Sequence, residues 1–218
     1  MTKIKAIIFD MDGVLIDAKD WHYESLNMAL SLFGYSISRH EHLTTFDGLP
    51  TKNKLNILSI EHGLPTGLHT LINDLKQIYT MEMIYTKCKP VFAHQRALSN
   101  LKTEGYKIAV CSNSITKTIE LMMEKADLLK FLDFFLSNQD VKKAKPDPEM
   151  YINAMKKLDL SPKECLICED NENGIKAAIA SGGHLMEIQT TTDVNYENIK
   201  ARIFDIENDK DLQTDSLH

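Results

Sequence analysis

Residues 3–14 read KIKAIIFDMDGV, and this stretch decides the fold. Its isoleucine-rich apolar run, 3–9, has the length and composition of a strand buried on both faces. The run ends at Asp10. Gly13 follows closely, and glycine tolerates the unusual dihedrals of a tight turn. Working outward, four more strand-like segments appear: 107–111 (KIAVC), 134–136 (FFL), 165–168 (CLIC) and 184–188 (HLMEI). Helical segments alternate with them at 91–104, 115–128, 148–158 and 174–181. The first of these stops at Gly105 and the last at Gly182, both C-cap signals. Strands alternating with helices predict an α/β fold: a Rossmann-like parallel sheet with helices on both faces.

Between residues 16 and 85 the pattern changes. Segments 20–32, 52–62 and 68–85 carry apolar residues at helical spacing, and no strand signal appears. The expectation is a catalytic core of residues 1–15 and 86–218, with a helical cap of 16–85 inserted after the first strand. The tail from residue 208 (NDKDLQTDSLH) is polar and expected to fray.

The chain has 218 residues, 43% of them hydrophobic and 26% charged, enough for a packed core. Net charge is −6 and no basic stripe is visible, which argues against nucleic acid as a partner. The N-terminal apolar stretch, 6–9, is too short for a signal-peptide core or a membrane span. No later segment is long enough either, so no membrane association and a cytoplasmic location are expected. No dimerisation stripe stands out, and a monomer is expected. Cys165 and Cys168 have C-x-x-C spacing, as in redox or zinc half-sites, but no second pair follows. On a strand they point to opposite faces, which favours two buried small apolar residues.

In parallel α/β sheets ligands bind at the carboxyl ends of the strands. Four polar clusters fall there. Asp10 and Asp12 follow the first strand, although an Asp-Gly turn would leave the same letters. Ser112 and Asn113 lie between a strand and a helix. A helix N-terminus presents free N–H groups to an anion, though Ser and Asn also cap helices. Lys145 lies in Lys-Pro-Asp-Pro, a stiff loop that can hold a cation in place. Glu169 and Asp170 follow the fourth strand and suit a hard, oxygen-seeking cation such as Mg²⁺.

FDMDGVLID, VCSNS, KAKPDPEMY and ICEDNENG, in that order over nearly the whole chain, resemble the haloacid dehalogenase-like (HAD) superfamily. The helical insertion after the first motif resembles the subgroup of beta-phosphoglucomutase and phosphoglycolate phosphatase. The resemblance implies a Mg²⁺-dependent phosphatase acting on a small phosphomonoester, such as a sugar phosphate. It implies Asp10 as nucleophile, forming an aspartyl-phosphate, and Asp12 as general acid and base. It implies Ser112 and the Asn113 backbone on the phosphoryl oxygens, and Lys145 offsetting negative charge. Asp10, the Asp12 carbonyl and Asp170 would hold Mg²⁺, with Glu169 close by or ligating. Elementary electrostatics agrees. Two like charges 4 Å apart repel by about 4 kcal/mol at an effective dielectric near 20, so a phosphate beside Asp10 needs both cations.

By the same resemblance, Lys52 and His22 in the cap are candidate substrate contacts. Two positions depart from the mutase pattern. Ala18 stands where relatives often carry Ser or Thr, and Lys52 where the mutase would favour arginine, whose planar grip on phosphate lysine cannot reproduce. Both favour a phosphatase over a phosphohexomutase like beta-phosphoglucomutase, which is the alternative. A non-catalytic binding protein and a dehalogenase fit less well, since the full set of acids is present.

Overall fold

A computed structural model describes residues 3–208. Five strands form one parallel sheet: β1 (Ala6–Phe9), β2 (Lys107–Cys111), β3 (Phe134–Leu136), β4 (Cys165–Glu169) and β5 (His184–Glu187). Their order is β3-β2-β1-β4-β5. The chain moves outward from β1 to β3, then returns to lay β4 on the other side of β1. That reversal opens a crevice at the carboxyl ends of β1 and β4.

The period-2 geometry of strands sorts β1 cleanly. Ile7 and Phe9 enter one apolar cluster, Ala6 and Ile8 the other. Cys165 and Cys168 divide the same way, one to each face, as expected. Both thiols are free, and burial pushes them up, Cys165 to about 12. They are small core residues on opposite sides of the sheet, not a paired site.

Four helices lie between β1 and the rest of the core: α1 (Lys19–Ser31), α2 (Arg39–Glu41), α3 (Thr51–Glu61) and α4 (His69–Lys87). One π-turn, His42–Phe46, continues α2. These elements bury an apolar cluster of their own, including Leu26, Leu30, Phe46, Leu55, Leu58 and Ile72. Both ends of the segment are rooted in the sheet core, through Ile16 and Ala18 at one end and Ile84 and Cys88 at the other.

The remaining helices are α5 (Phe92–Thr103), α6 (Thr116–Lys125), α7 (Glu149–Leu158), α8 (Glu172–Ser181) and α9 (Tyr196–Asn208). α5, α6 and α9 cover one face of the sheet; α7 and α8 cover the other. Among the described residues no helix is long and apolar enough to cross a membrane.

Among the boundaries that differ from the sequence reading, three have a plain local cause. β1 begins at Ala6, because Lys3 and Lys5 are exposed and only the following four residues are buried on both faces. Glu169 closes β4 instead of following it. α8 begins at Glu172, where the Asn171 side chain accepts from Gly174 N at 3.0 Å and caps the helix. α9 was not anticipated at all. The tail expected to fray lies outside the described residues, apart from Asn208.

Candidate active site

The crevice at the ends of β1, β2 and β4 gathers the acids. Asp10 directly follows β1 and is 4% exposed. Its backbone N–H donates to the Cys168 carbonyl at 2.9 Å, which ties the β1 exit to β4. Glu169 is fully buried and Asp170 follows it. Two glycines permit this crowding. A Cβ on Gly174 would lie 2.0 Å from the Glu169 carboxylate, and one on Gly13 would lie 2.0 Å from Asp170 Oδ2. Gly13 also has φ +91°, which disfavours any side chain there.

Lys145 is 2% exposed and uses all three of its donors. Nζ donates to Asp10 Oδ1 at 2.7 Å, Glu169 Oε1 at 2.6 Å and the Cys111 carbonyl at 2.7 Å. Tyr151 also donates to Glu169 Oε1. Burial alone would depress the lysine, but Asp10 and Glu169 outweigh it and hold the ammonium above its ordinary range. Asp10 goes the other way. Burial raises its carboxyl well above the usual value; Lys145 opposes this, while Glu169, Asp170 and Asp12 add to it. One buried lysine therefore does not balance the acids around Asp10.

Asp10, Glu169 and Asp170 can each offer an oxygen within 4.8 Å of the other two, a set suited to a hard divalent cation. Lys19 Nζ lies 2.7 Å from Asp170 Oδ2 and 3.7 Å from Asp47 Oδ2. The first is a close ion pair that gives the buried Asp170 carboxylate its counter-charge. The residues present fit a Mg²⁺ ion.

Asp12 is held differently. His22 Nε2 lies 3.1 Å from Oδ1, and the Ser114 hydroxyl donates to Oδ2 at 3.1 Å. Ser112 Oγ lies 3.5 Å from the same oxygen. Burial raises this carboxyl, but His22, the Ser114 bond and the Lys76 charge together bring it below its ordinary value. Lys76 Nζ stands 3.2 Å from His22 Nδ1, so a chain of side chains runs Lys76–His22–Asp12. Two neighbouring carboxylates are thus pushed in opposite directions, Asp10 up and Asp12 down.

Asn113 joins the two halves of the cleft. Its Nδ2 donates to the Gly48 carbonyl of the inserted segment at 2.8 Å and to the Lys145 carbonyl at 3.1 Å. Its Oδ1 accepts from Lys145 N. Asn173 Nδ2 reaches the Asp47 carbonyl at 3.3 Å. These contacts press the Asp47–Gly48 loop onto the core and roof over a cavity of about 450 Å³. Asp10, Asp12, His22, Lys52, Ser112, Asn113 and Lys145 all line it.

The profile described as "Haloacid dehalogenase-like hydrolase" matches residues 7–188. The chain belongs to the haloacid dehalogenase-like hydrolases. A haloacid dehalogenase-like hydrolase domain-containing protein of Arabidopsis thaliana is 31% identical over 98% of this chain and 78% of its own length. A phosphorylated carbohydrates phosphatase of Thermotoga maritima is 27% identical, with 82% of each chain covered. Among solved structures, a beta-phosphoglucomutase from Clostridium difficile superposes with a TM-score of 0.81 at 20% identity. That match covers 93% of this chain and 98% of the other. At that identity the match speaks for the shared haloacid dehalogenase-like fold.

The sequence reading of this haloacid dehalogenase-like site passed over Lys19, Lys54, Lys76, Ser114 and Tyr151. Ser114 and Lys19 stood beside motifs already quoted and could have been weighed. Tyr151 sits one turn into α7, and only the fold brings it to Glu169. Of the two early lysines of α3, Lys52 is exposed and Lys54 is buried.

Proposed function

We propose that the protein is a Mg²⁺-dependent phosphatase that hydrolyses a small phosphomonoester through an aspartyl-phosphate on Asp10. The observation that carries this reading is the pairing of Asp10, fixed by Lys145 beside the acid cluster, with Asp12, fixed by His22 and Ser114, in one roofed cavity. The phosphatase named among the relatives supports it.

Asp10, Glu169, Asp170 and the Asp12 carbonyl would hold Mg²⁺. Among the described residues no main-chain N–H donates to that carbonyl. When bound, the ion would neutralise charge on the transferring phosphoryl group. The chain's own residues do the rest. An Asp10 oxygen attacks phosphorus, and the P–O bond to the leaving group breaks. Asp12 gives that leaving oxygen a proton, which the negative charge of the arriving phosphate would help it to hold against the lowering by His22 and Lys76. Water then attacks the aspartyl-phosphate; Asp12 takes its proton, and Asp10 and inorganic phosphate are released. Ser112 and the Asn113 backbone orient the phosphoryl oxygens. Lys145 opposes part of the burial that disfavours the Asp10 carboxylate, and a bound cation would offset the rest. Residues 16–85 form the cap, which excludes bulk water when the Asp47–Gly48 loop is seated.

A phosphohexomutase is the second reading, favoured by the Asn113–Gly48 and Asn173–Asp47 contacts that tie the inserted segment to the core over the site. A Mg²⁺-supplemented screen of phosphorylated metabolites tests both. Phosphate release that Asp10→Asn abolishes supports the phosphatase. Conversion of beta-glucose 1-phosphate to glucose 6-phosphate without free phosphate supports the mutase. Asp10→Asn matching wild type in every assay overturns both.

A further inference from the structure

Two buried lysines line the cap side of the cavity, and one of them, Lys54, stands apart from the machinery above. Lys54 on α3 and Lys76 on α4 are each 7% exposed, and both line the cavity. Among the described residues neither makes an ion pair. Lys76 at least meets the His22 ring. Lys54 Nζ has no hydrogen-bond partner among them and is open to the cavity. Asp47 and Asp12 act on it only at longer range. Drawing an ammonium this far out of water without a paired carboxylate is costly. An apolar side chain of similar length would fill the position without that cost. The arrangement makes sense if a ligand supplies the missing acceptor.

We propose that Lys54 determines specificity, receiving a second anionic group, carboxylate or phosphate, carried by the substrate away from its scissile phosphate. This rests on the phosphatase reading for the scissile end, where Lys145, Ser112 and the acid cluster are already engaged on the core side. Lys54 belongs to the cap, so the two ends of such a substrate would touch the two halves of the cleft. A second anion would then draw α3 toward the core, adding to the Asn113–Gly48 contact. Lys52 is exposed at the cavity mouth and is not needed for this contact.

The test uses matched substrates on the full-length enzyme with Mg²⁺. Glucose 6-phosphate is set against 6-phosphogluconate, and fructose 6-phosphate against fructose 1,6-bisphosphate. The first pair adds a carboxylate, the second a phosphate, so the arms separate the two sources of charge. Wild type is expected to favour the doubly anionic member of at least one pair. In Lys54→Met that preference, as a ratio of kcat/KM values, falls about ten- to hundred-fold, the range for losing a charge-assisted hydrogen bond, and the change lies mainly in KM. Lys54→Arg restores part of it. Calorimetric titration of the same pairs into Asp10→Asn reads binding without turnover. There too the preference is present with Lys54 and lost with methionine. A preference absent from every pair, or one that survives Lys54→Met, overturns the proposal. If monoesters are hydrolysed without such a preference, this subsite falls and the phosphatase stands. If nothing is hydrolysed, the phosphatase falls, and the titrations alone decide on Lys54.

Discussion

Lys145 and Lys54 show how one residue type takes opposite behaviour from its surroundings. Lys145 is buried among acids and gains three acceptors; Lys54 is buried and gains none. Burial first, then the scarcity of compensating charge, lowers Lys54 from 10.5 to about 8, and Lys76 to about 7. The sign of the stability effect follows. Below pH 8 Lys54 is charged in both folded and unfolded states, and the full burial penalty stands. Between about 8 and 10.5 the folded state loses the proton first, so stability rises with pH; above 10.5 the penalty is gone. Lys54→Met is therefore expected to stabilise the free enzyme at pH 7 by about 1–3 kcal/mol. The gain should shrink through that window and vanish above it. Urea unfolding of both proteins from pH 6.5 to 10.5 checks this, and a destabilised methionine variant at pH 7 would sink it. The same substitution is expected to weaken selectivity, the exchange of function for stability common at binding sites.

Strands were the most legible elements. β2 and β3 match the sequence reading to the residue, because both are short runs that are apolar apart from Lys107. The acids at strand ends were legible for the same reason, since the end of such a run marks the rim. α9 had a usable signal in Ile199, Ile203 and Ile206, spaced to share one helix face, and all three are buried. Lys54 had none. Neighbouring lysines of α3 differ only in which way the helix turns them, and that depends on how α3 seats over the cavity. The Lys145–Glu169–Tyr151 contact was hidden too, because it joins three elements across a crossover. At the β4–α8 junction the decisive residue is Gly174. A Cβ there would meet a Glu169 side chain held by Lys145 and Tyr151, with no room to retreat. Gly174→Ala is expected to cost about 1–3 kcal/mol through overpacking. It should also displace Glu169 and cut Mg²⁺-dependent turnover by at least an order of magnitude, a loss larger than the stability change alone explains. Denaturation midpoints beside kcat/KM on the best substrate test this, and a variant with wild-type turnover would count against it.

At the scale of the whole molecule, the sheet core and the inserted helices are coupled through charge. Lys19 opens α1, at the root of the inserted helices, yet its ammonium rests on Asp170 at the acid cluster and within reach of Asp47 in the loop before α3. Burial would lower this lysine, but Asp170 and Asp47 prevail and raise it, so it is charged at neutral pH. In the metal-free protein Lys19 thus offsets part of the repulsion among Asp10, Glu169 and Asp170. A divalent cation bound by those acids competes for the same Asp170 oxygen. Removing the lysine should then act in two directions. Lys19→Met is expected to be less stable than wild type in EDTA, since the acids lose a counter-charge. It is expected to gain more from Mg²⁺, since the ion no longer displaces an existing partner. Saturation at about one hundred times Kd stabilises any protein by about 2.7 kcal/mol, so tighter binding in the variant appears as a larger thermal shift at equal Mg²⁺. Melting both proteins across a Mg²⁺ series reads this without any substrate. Equal shifts in the two would mean that Lys19 and the cation occupy separate places, and that the root of the inserted helices does not sense the metal.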